Sequence, residues 1–275
     1  MKRLAALLLC LCLLPGSLAF AAEDGQAVRI YEGALLRLRG FREADVLYLS
    51  PALLCRRFGL EAEEAIDEDG YTLSVPEANW RFEAPTDAEV YTADGRLLYC
   101  PEGSRLFEGR VCFPAELVGR LFGLVFRFDG EQAEMDGSGF QLLRGGADYY
   151  SRRFSADDLY WLCHIIHSEA RWEPLAGKIG VGNVVLNRVK SPQFPDTIMA
   201  VVLERSHVVQ FSPVESGEVA AEPEAEAQLA ARLCLEGYNT VGESLYFVNP
   251  ERGDDTWFRE ALTPTVTIGL HHFYK

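Results

Sequence analysis

The stretch HIIHSEARWE, residues 164–173, brings two histidines and two glutamates close together. His164 and His167 are three residues apart, whereas a zinc-protease helix needs His-Glu-x-x-His, with ligands four apart and the base between them. No Cys-x-x-Cys pair occurs in the chain, so a structural zinc site is not indicated either. We therefore predict no metal site and no cofactor, and interpret both histidines as half-buried helix residues that find hydrogen bonds.

Glu169 ends an apolar helical run that breaks before Pro174. A carboxylate at such a helix junction is expected to be partly shielded from water, which raises its pKa and favours the protonated form. A protonated carboxyl group can donate a proton to the leaving oxygen of a glycosidic bond. Glu173 is expected to be more exposed. From these residues alone, an ordinary solvated helix-end glutamate is the competing interpretation.

Hydrophobic spacing predicts the elements that position Glu169. Ser155, followed by two aspartates, is typical of a helix start, and apolar residues at helical spacing then form one face. A second helix is predicted from Pro174, and a third from about Ala225 to Gly237. The end, from Ser244, is rich in aromatic residues and shorter in period. The second half is therefore predicted to be mostly helical, with a few irregular strands.

Four segments of this half carry a resemblance. They occur in the order HSEARWEPLAGKIGVGNVVLNRVKSPQFPDTI (167–198), QFSPV (210–214), LYFVNP (245–250) and IGLHHFY (268–274). Together they resemble the cell wall hydrolase family of spore cortex-lytic enzymes. The resemblance implies a lysozyme-like fold over 155–275. It also implies lytic transglycosylase cleavage between N-acetylmuramic acid and N-acetylglucosamine in peptidoglycan, with Glu169 as the catalytic residue.

The same resemblance implies a set of groove residues that bind the glycan: Asn187, Gln210, Ser212, Tyr246, Asn249 and His271. Each has a structural alternative, such as a bridge between helices for Asn187 or a turn for Asn249. One departure lies beside Glu169, because Trp172 stands where such families usually have glycine. If that glycine needed a positive φ, the turn would have to be rebuilt.

The first half contains an internal repeat. VLYLSPALLCRRFGL (46–60) aligns with RVCFPAELVGRLFGL (110–124), and each copy predicts a strand, a short helix opened by proline and ended by glycine, then another strand. The predicted architecture is α+β, with a small β-rich repeat module at 27–143, a linker at 144–154, and the helical domain. The module resembles the copper-amine-oxidase-like N-terminal domain. No histidine precedes His164, so no copper is expected, and the module is expected to bind the wall or a protein partner.

The first residues predict a secretory signal peptide, 1–21. Lys2 and Arg3 precede an apolar run too short to span a membrane, and Ala19-Phe20-Ala21 fits the cleavage rule. We expect a free secreted protein of the cell wall or spore envelope without a transmembrane anchor. The net charge of −15 disfavours nucleic acid as a partner. Two cysteine pairs stay open as disulfides, namely Cys100 with Cys112 and Cys163 with Cys234, while Cys55 is left over.

Three alternatives to a lytic transglycosylase follow from the same residues. The first is a muramidase that hydrolyses the same bond on the same fold. The second is a wall-binding protein with a degenerate site, which Trp172 leaves open and Glu169 opposes. The third and weakest is a metalloprotease, for which the chain offers no recognisable ligand set.

Overall fold

The computed structural model describes residues 25–33, 35–129, 131–145, 154–204, 221–252 and 256–275. They form two compact units. The first contains the described residues up to Asp94 together with Cys100–Arg144, and the second contains Gly95–Tyr99 and the residues from Gly145 onward. The predicted signal peptide and most of the predicted linker lie outside the described residues. The predicted boundaries 27–143, 144–154 and 155–275 stay predictions.

The first unit is built from strands with two short helices. Its elements in chain order are β1 (Gln26–Glu32), β2 (Leu35–Glu43), β3 (Val46–Leu49), α1 (Pro51–Arg57), β4 (Glu63–Ile66), β5 (Gly70–Val75), a short 3₁₀ helix (Pro76–Ala78), β6 (Trp80–Pro85) and β7 (Val90–Ala93), then, after β8 (Arg96–Tyr99) of the second unit, β9 (Arg105–Phe107), β10 (Arg110–Pro114), α2 (Ala115–Phe122), β11 (Val125–Phe128) and β12 (Gln132–Asp136).

Two sheets organise these strands. One has the order β11-β12-β1-β2-β3-β10-β9, with β1 and β12 parallel and the other pairs antiparallel. The other contains β4, β5, β6 and β7 as antiparallel neighbours. The aromatic core includes Phe82 and Phe113, whose ring centroids are 5.2 Å apart and edge-to-face, an arrangement that adds to simple burial.

Both repeat copies have the predicted strand, helix and turn. Strands β3 and β10 are antiparallel neighbours, with Phe113 opposite Leu49, so the two copies are hydrogen-bonded to each other within the sheet. Gly59 and Gly123 follow the two helices with φ of 76° and 64°. In each copy the next leucine N–H returns to the helix, from Leu60 to Cys55 O at 2.9 Å and from Leu124 to Gly119 O at 3.0 Å.

The second unit consists of helices and a small sheet. Besides β8, its elements are α3 (Ala156–Ala170), α4 (Leu175–Lys190), α5 (Ile198–Val202), α6 (Ala225–Leu235), β13 (Tyr246–Val248), α7 (Thr256–Ala261), β14 (Pro264–Ile268) and β15 (His271–Tyr274). The sheet has the order β13-β15-β14. The predicted helix start at Ser155 is confirmed, because its side chain accepts the Asp158 N–H in a capping box.

Two glycines in α4 allow its neighbours to approach closely. A Cβ added at Gly182 would lie 2.7 Å from Cys234 Sγ of α6 and 2.9 Å from Ile166 Cδ1 of α3. A Cβ at Gly180 would lie 2.8 Å from Val241 and 2.9 Å from Phe273. Glycine costs about 1 kcal/mol in a helix interior relative to alanine, and here that cost is offset by packing that no larger residue permits.

The two disulfides that the sequence left open do not form in the structure. Cys55, Cys100, Cys112, Cys163 and Cys234 are free and buried. Burial raises the thiol pKa of Cys55, Cys100 and Cys112 to about 12, so these side chains stay protonated and pack as small apolar groups.

The α+β class is confirmed, since the described residues contain both sheets and helices. Within that described part, no helix is long and apolar enough to span a bilayer. The core of the second unit includes Val184, Val241 and Phe273, which join the middle of α4 to the C-terminal strands.

The matched glycines of the repeat give a first test. Alanine at either position adopts a left-handed backbone at a cost of about 1–2 kcal/mol. At Gly59 a Cβ meets nothing within 4 Å, whereas at Gly123 it lies 2.5 Å from the Gly139 carbonyl oxygen. We expect Gly123→Ala to lower the free energy of unfolding by about 1–3 kcal/mol more than Gly59→Ala, measured by urea denaturation. Equal losses would show that the Gly139 contact is relieved without cost.

Candidate active site

Glu169 lies in the last turn of α3, where the sequence predicted it. Its side chain is half-buried, and its Oε1 atom is buried. The neighbouring Ser168 hydroxyl donates to the His164 carbonyl one turn earlier, at 2.8 Å. Glu169 therefore projects from a regular turn of α3.

His164 and His167 are buried on α3. The Nδ1 atom of His167 accepts the backbone N–H of Glu224 at 3.3 Å, which ties α3 to the start of α6. The His164 ring lies 4.1 Å from the Tyr160 ring, centroid to centroid. The described residues contain no group of three or more His, Cys, Asp or Glu side chains that could hold a metal ion.

Glu173 is buried, so the expectation that it would be more exposed is wrong. It is 6% exposed, and its Oε2 atom accepts the Leu270 N–H at 3.0 Å. The turn between β14 and β15 folds over the carboxylate and supplies that donor. Gly269 makes the approach possible, because it has φ of 57° and a Cβ there would lie 1.9 Å from Glu173 Oε2.

His271 lies against the same carboxylate. Its Nδ1 atom is 3.8 Å from Glu173 Oε1, and its ring meets Phe247 with centroids 5.0 Å apart. Burial lowers the pKa of His271, although the nearby Glu173 charge raises it and Arg252 lowers it. His271 is thus placed beside Glu173, and its predicted substrate-binding role stays a prediction.

Asn187 connects α4 to the segment before β13. Its Nδ2 group donates to the Gly242 carbonyl at 2.8 Å and the Ser244 carbonyl at 3.0 Å. This is the bridging arrangement that the sequence left open as an alternative. The predicted contact between Asn187 and substrate stays a prediction.

Arg188, the next residue, was missed by the sequence reasoning. It is 3% exposed, and its Nε atom donates to the Leu245 carbonyl at 2.7 Å. The guanidinium carbon lies 5.0 Å from the Phe194 ring centroid and 5.6 Å from that of Tyr246. The sequence offered no signal that singles it out, because α4 also carries Lys178, Asn183 and Lys190.

The charge of Arg188 acts on the candidate site. Burial lowers the pKa of Arg188 to about 10, while Tyr246, Glu204 and Glu169 each raise it. The guanidinium therefore stays charged at neutral pH and lies within electrostatic range of Glu169.

An aromatic cluster adjoins Arg188. The Tyr246 ring is edge-on to Phe194, at 6.1 Å, and to Trp257, at 6.3 Å between centroids. Trp257 is 56% exposed and was not predicted as a site residue, although a tryptophan among the polar residues DDTWFRE was a visible signal. Asn249 lies at the end of this strand, where its Oδ1 accepts the Glu251 N–H at 3.0 Å.

Two predicted site residues, Gln210 and Ser212, lie outside the described residues. Trp172 is described, and its φ is not positive. The turn beside Glu169 therefore needs no glycine, and the substitution of tryptophan for the usual glycine introduces no backbone strain.

Comparison with known proteins supports the interpretation of the second half. Residues 172–274 match the family model described as Cell Wall Hydrolase. Glu169 lies just before that segment. The spore cortex-lytic enzyme of Oceanobacillus iheyensis is 33% identical over 123 residues, 44% of this chain and 43% of the relative. That of Bacillus subtilis is 32% identical over 104 residues, 38% of this chain and 33% of the relative.

The match therefore spans less than half the length of these curated relatives. Among solved structures, the catalytic domain of the germination-specific lytic transglycosylase SleB from Bacillus anthracis is 30% identical, with a TM-score of 0.41, and the match covers 45% of this chain and 98% of that one. The C-terminal part of the chain is thus similar to cell wall hydrolases and to spore cortex-lytic enzymes. The copper-amine-oxidase-like resemblance of the first half stays a prediction.

The His167 contact predicts a pH effect on stability. Burial lowers the pKa of His167, Glu224 raises it, and Arg171, His164 and Lys178 lower it. Because the folded pKa lies below the unfolded value of about 6.5, the stabilisation is present above about pH 6.5 and is lost as the pH falls through the folded pKa.

Between about pH 7 and about pH 5, we expect the unfolding temperature of the wild type to fall further than that of His167→Asn. The asparagine amide oxygen can still accept the Glu224 N–H but does not titrate. Parallel pH profiles for the two proteins would contradict the assignment of His167 as a neutral acceptor.

The buried Glu173 carboxylate gives a second prediction for this site. Glu173→Ala leaves the Leu270 N–H without its acceptor and should lower the free energy of unfolding by about 1–3 kcal/mol. Glu173→Gln keeps an oxygen acceptor and should cost less. Hydrogen exchange of the Leu270 amide should be faster in the alanine variant. The control is Glu260→Ala, which removes an exposed carboxylate on α7. An unchanged exchange rate of the Leu270 amide in Glu173→Ala would refute the hydrogen bond between Leu270 N–H and Glu173.

Proposed function

We propose that this protein is a secreted lytic transglycosylase that cleaves the glycan strands of peptidoglycan, with Glu169 as both acid and base. One observation carries the proposal. Glu169 presents a half-buried carboxyl group at the end of α3, immediately before the segment that matches the cell wall hydrolase family. The spore cortex-lytic enzymes among the relatives support peptidoglycan as the substrate and the spore or cell wall as the location.

The reaction needs one carboxyl group. Protonated Glu169 donates its proton to the oxygen that links N-acetylmuramic acid to N-acetylglucosamine, and the bond from that oxygen to the muramic C1 breaks. The resulting Glu169 carboxylate then takes the proton of the muramic C6 hydroxyl, whose oxygen bonds to C1. The product is a 1,6-anhydro end, Glu169 is protonated again, and no water is consumed.

Arg188 suits the second half of this cycle. Once Glu169 has given up its proton, a charged guanidinium within electrostatic range stabilises the carboxylate that must next act as base. Arg188 does so without leaving its fixed position, since Nε is bonded to the Leu245 carbonyl. We assign Arg188 as a positioning and electrostatic residue rather than a substrate ligand.

The remaining predicted residues divide by their contacts. Tyr246, with the exposed Trp257 beside it, offers ring faces for sugars, and Gln210 and Ser212 stay proposed ligands through their amide and hydroxyl groups. Asn187 is assigned to hold the segment before β13. His271 is assigned with Glu173 to support the turn next to Glu169.

The first unit is proposed to bind the cell wall or a protein partner, and the fold of the second to be lysozyme-like. The repeated strand-and-helix unit supports a binding rather than a catalytic role, because repeated units commonly serve as scaffolds or binding surfaces. Secretion rests on the predicted signal peptide, 1–21.

Digestion of purified spore cortex and vegetative peptidoglycan tests the function. Wild type should release muropeptides with 1,6-anhydro ends, detected by mass spectrometry, and Glu169→Gln should reduce cleavage by at least about a hundredfold, since proton transfer contributes 10²–10⁴. Asp157→Asn is the matched control, because it removes one exposed carboxylate about 18 Å away on the same helix.

The other outcomes separate the alternatives. Reducing ends, heavier by one water, would identify a muramidase. Binding without cleavage of either substrate would indicate a wall-binding protein. Cleavage that survives in Glu169→Gln would refute the assignment of the acid.

A further inference from the structure

Trp172 carries an exposed indole that the fold does not use. The residue is 77% exposed and lies in the turn between α3 and α4. Its backbone φ is not positive, so the backbone there does not require glycine. A large aromatic side chain that gains little from burial and is not required by the backbone presents its area to a ligand.

The indole is nevertheless held in place. The Arg171 guanidinium carbon lies 5.3 Å from the centroid of the Trp172 ring, a cation–π arrangement. Arg171 is itself oriented by an exposed ion pair, because its Nε and Nη2 atoms each lie 2.8 Å from Glu224 Oε1. One face of the ring is therefore covered by a cation that an ion pair orients, and the exposure of the residue leaves area for a ligand. Such pre-organisation reduces the entropy lost on binding.

The position of Trp172 relates it to Glu169. Arg171 keeps helical backbone angles, with φ of −51° and ψ of −40°, so residues 169 and 172 are near neighbours one turn apart. Side chains at such spacing have Cβ atoms about 5–6 Å apart. That span is comparable with one sugar residue of a glycan strand, so a strand bound at Glu169 passes within reach of the indole.

We propose that Trp172 is a sugar-stacking residue, and that a pyranose ring of the glycan strand packs on its open face beside Glu169. The C–H groups of a pyranose carry partial positive charge and complement the negative face of an aromatic ring. An anionic lipid surface is the less suitable occupant, because the chain carries a net charge of −15. The proposal rests on the proposed function for the identity of the ligand.

Kinetics with soluble glycan strands test it. Trp172→Ala should raise KM about three- to tenfold with kcat within about twofold, the range expected for one aromatic stacking contact. Trp172→Phe should recover part of the loss, because it keeps a ring face. Tyr160→Ala is the control, since Tyr160 is also exposed, at 49%, and lies about 13 Å from Glu169 along α3.

Binding in the Glu169→Gln background separates this inference from the proposed function. If wild type does not cleave the strands, the function fails, yet the inactive protein should still bind strands stripped of peptide stems, and Trp172→Ala should weaken that binding three- to tenfold. Unchanged binding and KM in Trp172→Ala would overturn the proposal, as would an equal loss in Tyr160→Ala. If Trp172→Ala weakens binding only to strands that carry peptide stems, the ligand of Trp172 is a peptide and the proposal is overturned. If it weakens binding to phosphatidylglycerol vesicles instead, the ligand is a membrane and the proposal is likewise overturned.

Discussion

The burial of the Glu173 carboxylate is the constraint on which the second unit depends. A charged group removed from water must receive hydrogen bonds from the protein, and Glu173 receives one from the Leu270 N–H. The backbone carbonyl of the same residue accepts from Lys178, whose Nζ also contacts Glu226 of α6 at 2.6 Å. One residue of the α3–α4 turn is thus joined to the C-terminal hairpin and to α6. Glu169 lies one turn earlier, so these contacts also fix the end of α3 that carries it.

Local signals in the sequence predicted the elements well. The capping of α3 by Ser155, the end of α6 before Gly237, and the two glycine-terminated helices of the repeat all depend on residues within one or two turns of each other. Such interactions are visible in a sequence because their partners are neighbours in the chain. The prediction that α4 opens at Pro174 succeeded for the same reason.

The contacts that complete the site were not predictable, because their partners are distant in sequence. Glu173 was expected to be exposed, and only the approach of Leu270, 97 residues away, buries it. Arg188 was passed over in favour of Asn187, although both bond to carbonyls about 57 residues away. Nothing in the spacing of α4 distinguishes a guanidinium that points into the fold from one that points to water. The free thiols show the same limit, since whether Cys163 meets Cys234 depends on how two helices pack.

The segment that follows β12 is part of the first unit, because it is hydrogen-bonded to the unit beyond its last strand. Its backbone continues past the last strand and bonds back to α2, from Gln141 N to Phe122 O at 2.9 Å and from Leu143 N to Leu121 O at 2.8 Å. The Trp80 indole also donates to the Leu143 carbonyl at 2.9 Å. A fragment cut at Asp136 would carry every strand of the sheet and still lack the acceptor for a buried tryptophan. A fragment that keeps these hydrogen bonds must therefore extend at least through Leu143.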